Sequence, residues 1–159
     1  MVFVSKQSVK LLVMVLLCLL VLGKAGATVM HGTEVIPLKE CGSKPNCVVS
    51  LGAGKESFYI EPFPIRENPQ VSFKILTSVL NNYKRTKIVK NSEGYIHATC
   101  TSLIFRFVDD VEFYLDKVRR KILVRSASRV GYSDFGVNRN RVEELRKLYL
   151  EAPLDQSDQ

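Results

Sequence analysis

Apolar and polar residues alternate through residues 95–125, and this pattern limits the possible folds more than any other feature of the sequence. Runs at residues 95–100, 103–108, 111–115 and 122–125 have the period of two that is typical of β-strands. Short polar stretches separate most of the runs and predict turns, so strands that are adjacent in sequence should pair antiparallel. A β-branched run at 86–89, followed by a turn at 91–94, adds one more strand. The pattern therefore predicts an antiparallel meander sheet.

The apolar positions of these runs indicate which face of the sheet is buried. The side chains expected to face inward are Ile96, Ala98, Cys100, Val111, Phe113 and Leu115. Leu103, Phe105 and Phe107 follow Cys100 with the opposite parity. This change predicts a bulge or bend near residues 101–102, with a strand continuing over 103–108.

Helical patterns flank the strands on both sides. Asn68 can cap the first helix, and Pro69 suits its first position. Its apolar stripe comprises Val71, Ile75, Leu76, Val79, Leu80 and Tyr83. A second helix is predicted from about residue 138 to 150, with Val142, Leu145, Leu148 and Tyr149 as its stripe. This order predicts an α+β fold, with an antiparallel meander sheet of about four to five strands and two main helices packed on one face.

The first 27 residues have the layout of a secretory signal peptide. Lys6 and Lys10 precede twelve consecutive apolar residues at 11–22, and small residues at 25–27 provide a cleavage site. Twelve apolar residues are fewer than the roughly 20 that a spanning helix needs. We therefore expect cleavage near Ala27 and an exported chain, periplasmic or secreted. The alternative is an uncleaved leader that acts as an N-terminal membrane anchor.

Export makes the cysteines interpretable. Cys41 and Cys47 enclose five residues that include the turn formers Gly42 and Pro45. In an oxidising compartment this spacing predicts a disulfide-closed loop, whereas redox pairs have two residues between the cysteines. Cys100 is left over and is expected to be a buried free thiol.

Composition divides the exported chain into three parts. Residues 28–69 show no sustained period and are rich in turn formers. They predict an extended arm that carries the Cys41–Cys47 loop and covers an edge of the sheet; binding a partner is the alternative. Residues 70–150 form the α+β core domain, and the acidic end at 151–159 is expected to be disordered.

The densest polar stretch, residues 124–141, joins the last strand to the last helix. Its candidate ligand-binding residues are Arg125, Ser126, Ser128, Arg129, Tyr132, Asp134, Asn138 and Arg141. Free N–H groups and the dipole at a helix N-terminus favour anions, and the arginines, including Arg139, add positive charge there. With Ser and Tyr hydroxyls as neutral donors, the stretch predicts an anion pocket.

Internal pairing is the competing interpretation of the same residues. Asp109, Asp110, Glu112 and Asp134 provide four acids for the four arginines. An ion-pair network of this kind would hold the strand-to-helix loop without binding any ligand.

Catalysis has weaker support in the sequence. Asp110 and Glu112 point to one face of a strand and Asp109 to the other. Two carboxylates on one face can bind a divalent cation or act as an acid–base pair. No third ligand has suitable spacing, so salt bridges to arginine are favoured and no metal is expected. His97 and Cys100 lie on opposite faces and cannot form a metal or catalytic pair.

Cofactor and nucleic-acid binding have no signature. The glycine-containing segment 52–55 is too short for a phosphate loop and lacks the helix that should follow, so no cofactor is expected. The formal net charge is +7, and the three lysines of the leader account for three of those charges. The +4 that remains does not indicate a nucleic-acid partner.

Four segments resemble the domain of unknown function 1499 family. They are CGSKPNCV at 41–48, YIHA at 95–98, FRFVDDVEF at 105–113 and VRSASRVGYSDFGVNRNR at 124–141. The resemblance extends over roughly residues 41–150. The hallmark polar residues of the family correspond to Asp109, Asp110, Glu112, Arg125, Ser126, Ser128, Arg129, Tyr132, Asp134, Asn138 and Arg141. The family has no established activity and is mainly bacterial, often with an exported or membrane-tethered start. The resemblance therefore implies an exported domain and no particular chemistry.

These observations predict a non-enzymatic accessory or binding protein of the cell envelope. Its partner would be an anionic small molecule, a lipid headgroup or an envelope protein, held at residues 124–141. Contact with a membrane is expected only if the leader stays uncleaved. The alternatives are a hydrolase or divalent-metal-dependent enzyme that uses Asp109, Asp110 and Glu112, and a purely structural ion-pair network.

Overall fold

Six strands form one antiparallel sheet in the computed structural model, which describes residues 36–52 and 55–154. β1 is Cys47–Val49, β2 is Phe63–Pro64, β3 is Thr86–Ser92, β4 is Tyr95–Thr101, β5 is Val108–Asp116 and β6 is Lys121–Ser128. The two α-helices are α1, Pro69–Asn82, and α2, Val137–Glu151, and a short 3-10 helix covers Glu56–Phe58. The predicted α+β fold is confirmed. The predicted leader, residues 1–27, and the last five residues lie outside the described residues.

The strand order explains how the arm meets the core. β3, β4, β5 and β6 form the meander, and β1 and β2 both pair with the remaining edge of β6. Val48 lies opposite Ser126, and Phe63 lies opposite Ile122. Part of the segment interpreted as an irregular arm thus forms two short strands. Strands of two and three residues are too short to show an alternating pattern, and their pairing leaves no open edge along β6 in the described chain.

The core lies between one face of the sheet and the two helices. The meander contributes Ile96, Ala98, Val111, Phe113, Ile122 and Val124, all of which are fully buried. α1 adds Leu76 and Leu80, and α2 adds Leu145 and Tyr149. Phe63 of β2 makes edge-to-face contacts with Phe113 and Tyr149, with ring centroids 5.4 and 5.5 Å apart. The arm therefore supplies part of the core as well as an edge strand.

The helices follow their sequence patterns with one correction. The Asn68 side chain accepts a hydrogen bond from the Val71 N–H at 2.9 Å and caps α1 as predicted. Leu148, predicted to lie on the buried stripe of α2, is 40% exposed. Asn138 and Arg141 are buried instead. The buried face of α2 includes the polar residues Asn138 and Arg141, so the positions of its apolar residues alone do not predict that face correctly.

The region between β4 and β5 differs from the prediction. Residues 102–107 form a loop, not the predicted bulge and strand, and β5 begins at Val108. The change of parity after Cys100 is absorbed by this loop. The irregularity in the sheet lies in β3 instead, between Ile88 and Lys90. β3 also extends to Ser92, so the turn to β4 is tighter than predicted and uses Gly94 at φ +72°.

The structure also tests the predictions for the cysteines. The predicted disulfide between Cys41 and Cys47 is confirmed, and Cys100 is a buried free cysteine. None of the helices in the described part of the chain has the length and apolar composition needed to cross a membrane.

Candidate functional site

The polar residues of the β6–α2 junction are divided between the two faces of the sheet. The alternation of β6 directs Ser126 toward α1 and α2 and directs Arg125 toward the opposite face of the sheet. Their partners on β5 separate in the same way, because Asp109 lies opposite Ser128 and Glu112 lies opposite Arg125. The stretch 124–141 therefore forms two clusters with different environments.

The inner cluster is a buried network centred on Arg141. Its guanidinium donates to a carboxylate oxygen of Asp109, to Ser126 Oγ at 3.1 Å and to Asn138 Oδ1 at 2.6 Å. All four residues are less than 10% exposed. Asp109 neutralises the charge of Arg141 and accepts a hydrogen bond from Nη2, while Ser126 and Asn138 accept hydrogen bonds from Nη1. Burying a charge without such partners would cost several kcal/mol, so this cluster is organised for stability.

Asn138 connects the inner cluster to the arm. Its side-chain amide donates to the Asn46 carbonyl at 3.1 Å and to Ser128 Oγ at 3.0 Å. The Asn138 N–H donates to Asp134 Oδ2 at 2.8 Å, and the Gly136 N–H donates to Asp134 Oδ1 at 3.1 Å. Gly136, at φ +81°, offers no side chain to cap α2, so Asp134 satisfies these amides at the positive end of the helix.

The outer cluster contains two parallel rows of side chains across the sheet. In the first row, Glu112 accepts hydrogen bonds from the Tyr95 hydroxyl at 2.7 Å and from the Arg125 guanidinium at 2.9 Å. Burial and the hydrogen bond to Glu112 raise the pKa of Tyr95. Arg125 Nε is a buried donor without an acceptor among the described residues.

In the second row, Asp110 lies between His97 and Arg129. The imidazole Nε2 of His97 is 2.7 Å from Asp110 Oδ1, and Arg129 forms a two-pronged contact with the carboxylate at 2.8 and 3.0 Å. Hydrogen bonding to Arg129, with a smaller contribution from His97, lowers the pKa of Asp110. Asp110 and Glu112 share a face, as the sequence indicates, but both already accept hydrogen bonds from two neighbours.

The remaining predicted site residues lie elsewhere. Arg139 donates to the Ser57 and Tyr59 carbonyls at 2.8 Å each, and so holds the 3-10 segment against α2. Tyr132 is 73% exposed in the loop between β6 and α2. The structure thus does not bring the candidate anion-binding residues into one pocket.

Metal and thiol chemistry have little basis in the described region. Residues 36–52 and 55–154 contain no group of three or more His, Cys, Asp or Glu residues that could hold a metal ion. The Cys100 thiol is 3.2 Å from Thr86 Oγ1 and faces the core, away from His97. Burial raises the pKa of this thiol, which disfavours the nucleophilic thiolate.

The feature that the sequence interpretation missed is a group of exposed apolar side chains in two loops. Of the 14 large apolar residues exposed in the described chain, seven lie in these loops and an eighth, Val137, is the first residue of α2. They are Leu103, Ile104, Phe105, Phe107, Val130, Tyr132, Phe135 and Val137. The sequence pattern predicts a strand over residues 103–108 with its odd positions in the core, so it does not indicate that these side chains are exposed. The change of parity after Cys100 is the sequence signal that indicates a loop, and not a strand, over residues 102–107.

Both loops lie at one end of the sheet, which we call the loop end and define as residues 102–107 and 129–137. The Arg129 N–H donates to the Val108 carbonyl at 3.2 Å, where the two loops leave their strands. Leu103 and Val137 both line one cleft of about 390 Å³. Phe105 and Phe107 stack with their ring centroids 5.5 Å apart.

The charge near the loop end is mainly positive. Arg106 and Arg129 lie in the loops, and Lys84 and Arg85 line the adjoining cleft; all four are exposed. Asp134 is the only acid within residues 102–107 and 129–137, and it accepts hydrogen bonds from the Gly136 and Asn138 N–H groups. Glu144 lines the adjoining cleft and accepts a hydrogen bond from the Tyr83 hydroxyl. The loop end therefore combines apolar tips with a basic surround.

Comparison with known proteins places the chain in a family. No curated protein and no solved structure matches it. One protein-family model matches residues 37–148, which include every strand and nearly all of both α-helices. The chain therefore belongs to the family described as "Protein of unknown function (DUF1499)", in agreement with the resemblance seen in its motifs.

Proposed function

We propose that the protein is a non-enzymatic, exported accessory domain of the cell envelope that docks through its loop end on the surface of an anionic lipid bilayer. The observation that carries this proposal is the concentration of exposed apolar side chains in residues 102–107 and 129–137. Contact with a membrane would then not require the leader to remain uncleaved, contrary to the expectation from the sequence.

The apolar loops support contact with a membrane. Exposing large apolar side chains to water is unfavourable, and contiguous apolar patches on soluble domains mark interaction sites. Phe105 and Phe135 are 73% and 94% exposed, and they lie in loops that can enter a bilayer without breaking the sheet. Interfacial segments bury their apolar side chains about 5–10 Å into the boundary between headgroups and acyl chains.

The positive charges favour an anionic lipid surface over a neutral one. Arg106 lies between Phe105 and Phe107 in the sequence, so insertion of the two rings would bring its guanidinium close to the lipid phosphates. Lys84 and Arg85 line the adjoining cleft, and Arg129, which is paired with Asp110, begins the second loop. Basic residues near an anionic membrane contribute about 1 kcal/mol each.

The two polar clusters support a binding role more than an enzymatic one. Asp110 and Glu112, the candidate catalytic pair, each accept hydrogen bonds from an arginine and a β4 side chain. For either carboxylate to bind a metal ion or to accept a proton from substrate, it would have to give up one of these contacts. Export is supported by the leader pattern of residues 1–27 and by the disulfide between Cys41 and Cys47.

Sedimentation with lipid vesicles tests the proposal. The chain from residue 28 onward should be used, because it contains the compact unit of residues 35–159 and lacks the apolar leader. We expect it to bind vesicles that contain phosphatidylglycerol more tightly than vesicles of phosphatidylcholine alone, and binding should weaken as salt rises.

A matched pair of variants locates the contact. Phe105→Ser combined with Phe107→Ser should weaken vesicle binding at least about tenfold, because burying one such ring contributes roughly 1.5–3 kcal/mol. Val118→Ser combined with Leu148→Ser removes two exposed apolar residues outside the loops and should leave binding unchanged. Equal effects of the two double variants, or no binding of the parent chain to anionic vesicles, would overturn the proposal.

A further inference from the structure

A groove of about 960 Å³ lies at the end of the sheet opposite the loop end. Its walls are α1, the turn from β3 to β4 and the turn from β5 to β6. Ile65, Phe73 and Leu115 form apolar surface along it. The groove therefore presents apolar surface next to the buried core.

The walls are fixed by contacts on both sides. Asn91 Nδ2 donates to Thr77 Oγ1 at 3.4 Å and joins the hairpin to α1. The Leu115 N–H donates to the Gly94 carbonyl at 2.8 Å and joins the two turns. Phe73 packs on the core with part of its ring and presents the rest to the groove. The apolar surface is therefore held in place before any ligand arrives.

Basic residues outnumber acids along the groove. Lys117 and Arg120 line it from the β5–β6 turn and Lys74 lines it from α1, whereas Glu93 is the one acid among its lining residues. Lys117 Nζ is 3.7 Å from Glu93 Oε1, and both side chains are mostly exposed. Exposed pairs of this kind contribute little to stability, so an incoming anion can replace Glu93 as the partner of Lys117.

We infer that this groove binds an amphiphile with a single anionic head group. The apolar chain would lie along Ile65, Phe73 and Leu115, and the carboxylate or phosphate would lie against Lys117 and Arg120. The volume is at the upper end of the range for small-molecule sites, about 300–1,000 Å³, which are apolar cavities with a few polar groups that orient the ligand. This inference rests on a different end of the molecule from the loop end and does not depend on the proposed function.

A tryptophan reporter makes binding measurable. The chain contains no Trp, and Gln70 lies exposed at the groove, so Gln70→Trp introduces one indole at its mouth. We expect dodecanoate and dodecyl phosphate, each below its micelle concentration, to shift the emission of this indole saturably. In the parent chain, the same ligands should move the amide NMR signals of Gly94 and Thr77.

Charge variants test the orientation of the ligand. Lys117→Gln combined with Arg120→Gln should weaken dodecanoate binding about fivefold, as expected for two exposed charge contacts. Lys121→Gln removes an exposed lysine of the same hairpin that does not line the groove, and it should leave the affinity unchanged. Circular dichroism of each variant verifies that the fold is retained.

Ligand controls decide the chemistry. Acetate or inorganic phosphate binding as tightly as dodecanoate would show a simple anion site and overturn the inference. Dodecyl maltoside binding as tightly would show that the head-group charge is irrelevant and would also overturn it. An absence of any shift with dodecanoate and dodecyl phosphate would have the same consequence, and it would leave vesicle binding by the loop end unaffected.

Discussion

Replacing Asp109 by Asn should destabilise the protein far more than the same replacement at Asp110, although the two acids are adjacent in sequence. The Asp109 side chain is 7% exposed and pairs with Arg141, which is 9% exposed. Asp110 is 22% exposed and pairs with Arg129, which is 50% exposed. The same chemical change therefore acts on a buried pair and on a partly solvated one.

The expected magnitudes follow from this difference in burial. Asp109→Asn leaves the Arg141 charge buried without a counter-charge, which costs about 3–5 kcal/mol. Asp110→Asn weakens contacts to groups that water can solvate, which costs about 1 kcal/mol or less. A domain of this size has a total stability of roughly 5–15 kcal/mol, so only the first change should remove a large part of it.

Urea denaturation at neutral pH measures both effects. The unfolding should be followed by far-ultraviolet circular dichroism because the chain contains no Trp. The two variants should differ in midpoint while keeping the same dependence on urea concentration. The double variant Asp109→Leu with Arg141→Met should lose less stability than the sum of its two single changes, since it removes both buried charges together.

Two results would refute this reasoning. One is a similar loss of stability for Asp109→Asn and Asp110→Asn, which would mean that the difference in burial between the two ion pairs does not affect their contribution to stability. The other is strict additivity in the double variant, which would mean that Asp109 and Arg141 do not depend on each other.

Three further predictions follow from single features of the structure. Phe135 is 94% exposed and has φ +53°, a backbone conformation that is strained for an L-residue. Phe135→Gly should therefore raise the free energy of unfolding, measured in urea, by up to about 1 kcal/mol, and it should weaken sedimentation with anionic vesicles. A loss of stability would contradict the assigned strain. Arg129 holds the pKa of Asp110 below its usual value of 3.8, so the unfolded chain binds the proton more readily than the folded one. The contribution of Asp110 should be complete above pH 3.8 and should disappear as pH falls through the lower folded value, and Asp110→Asn should remove this part of a stability–pH profile. Converting both Cys41 and Cys47 to Ser should cost about 2 kcal/mol for so short a loop, measured by thermal unfolding, and the same loss should follow addition of reductant to the parent but not to the variant.

Most of the fold follows from local patterns. The period of two over β4, β5 and β6 indicates which side chains enter the core, and the cap at Asn68 marks the start of α1. The Cys41–Cys47 disulfide and the family also follow from motifs within short segments. These features are predictable because each depends on residues that are close together in the chain.

For the candidate site, the sequence predicts which residues take part but not how they pair. The candidate acids and arginines can be identified from the sequence, but the alternation within a strand does not predict which arginine forms an ion pair with which acid. Register does so: it places Glu112 opposite Arg125, while the position of α2 brings Arg141 to Asp109. Alternation already divides the strand residues between the two faces of the sheet, whereas the pairing on each face depends on strand register and on the position of α2.

What the sequence by itself determined is the α+β class, the buried face of the meander, the disulfide and the family. The tertiary structure decided the pairing of β1 and β2 with β6, the burial of Asn138 and Arg141, and the exposure of residues 102–107. The physical reason is that burial and ion pairing depend on neighbours that are distant in the chain, whereas a helical or strand period depends on residues a few positions apart. An apolar run such as residues 103–107 looks the same in sequence whether its side chains enter the core or remain in solvent.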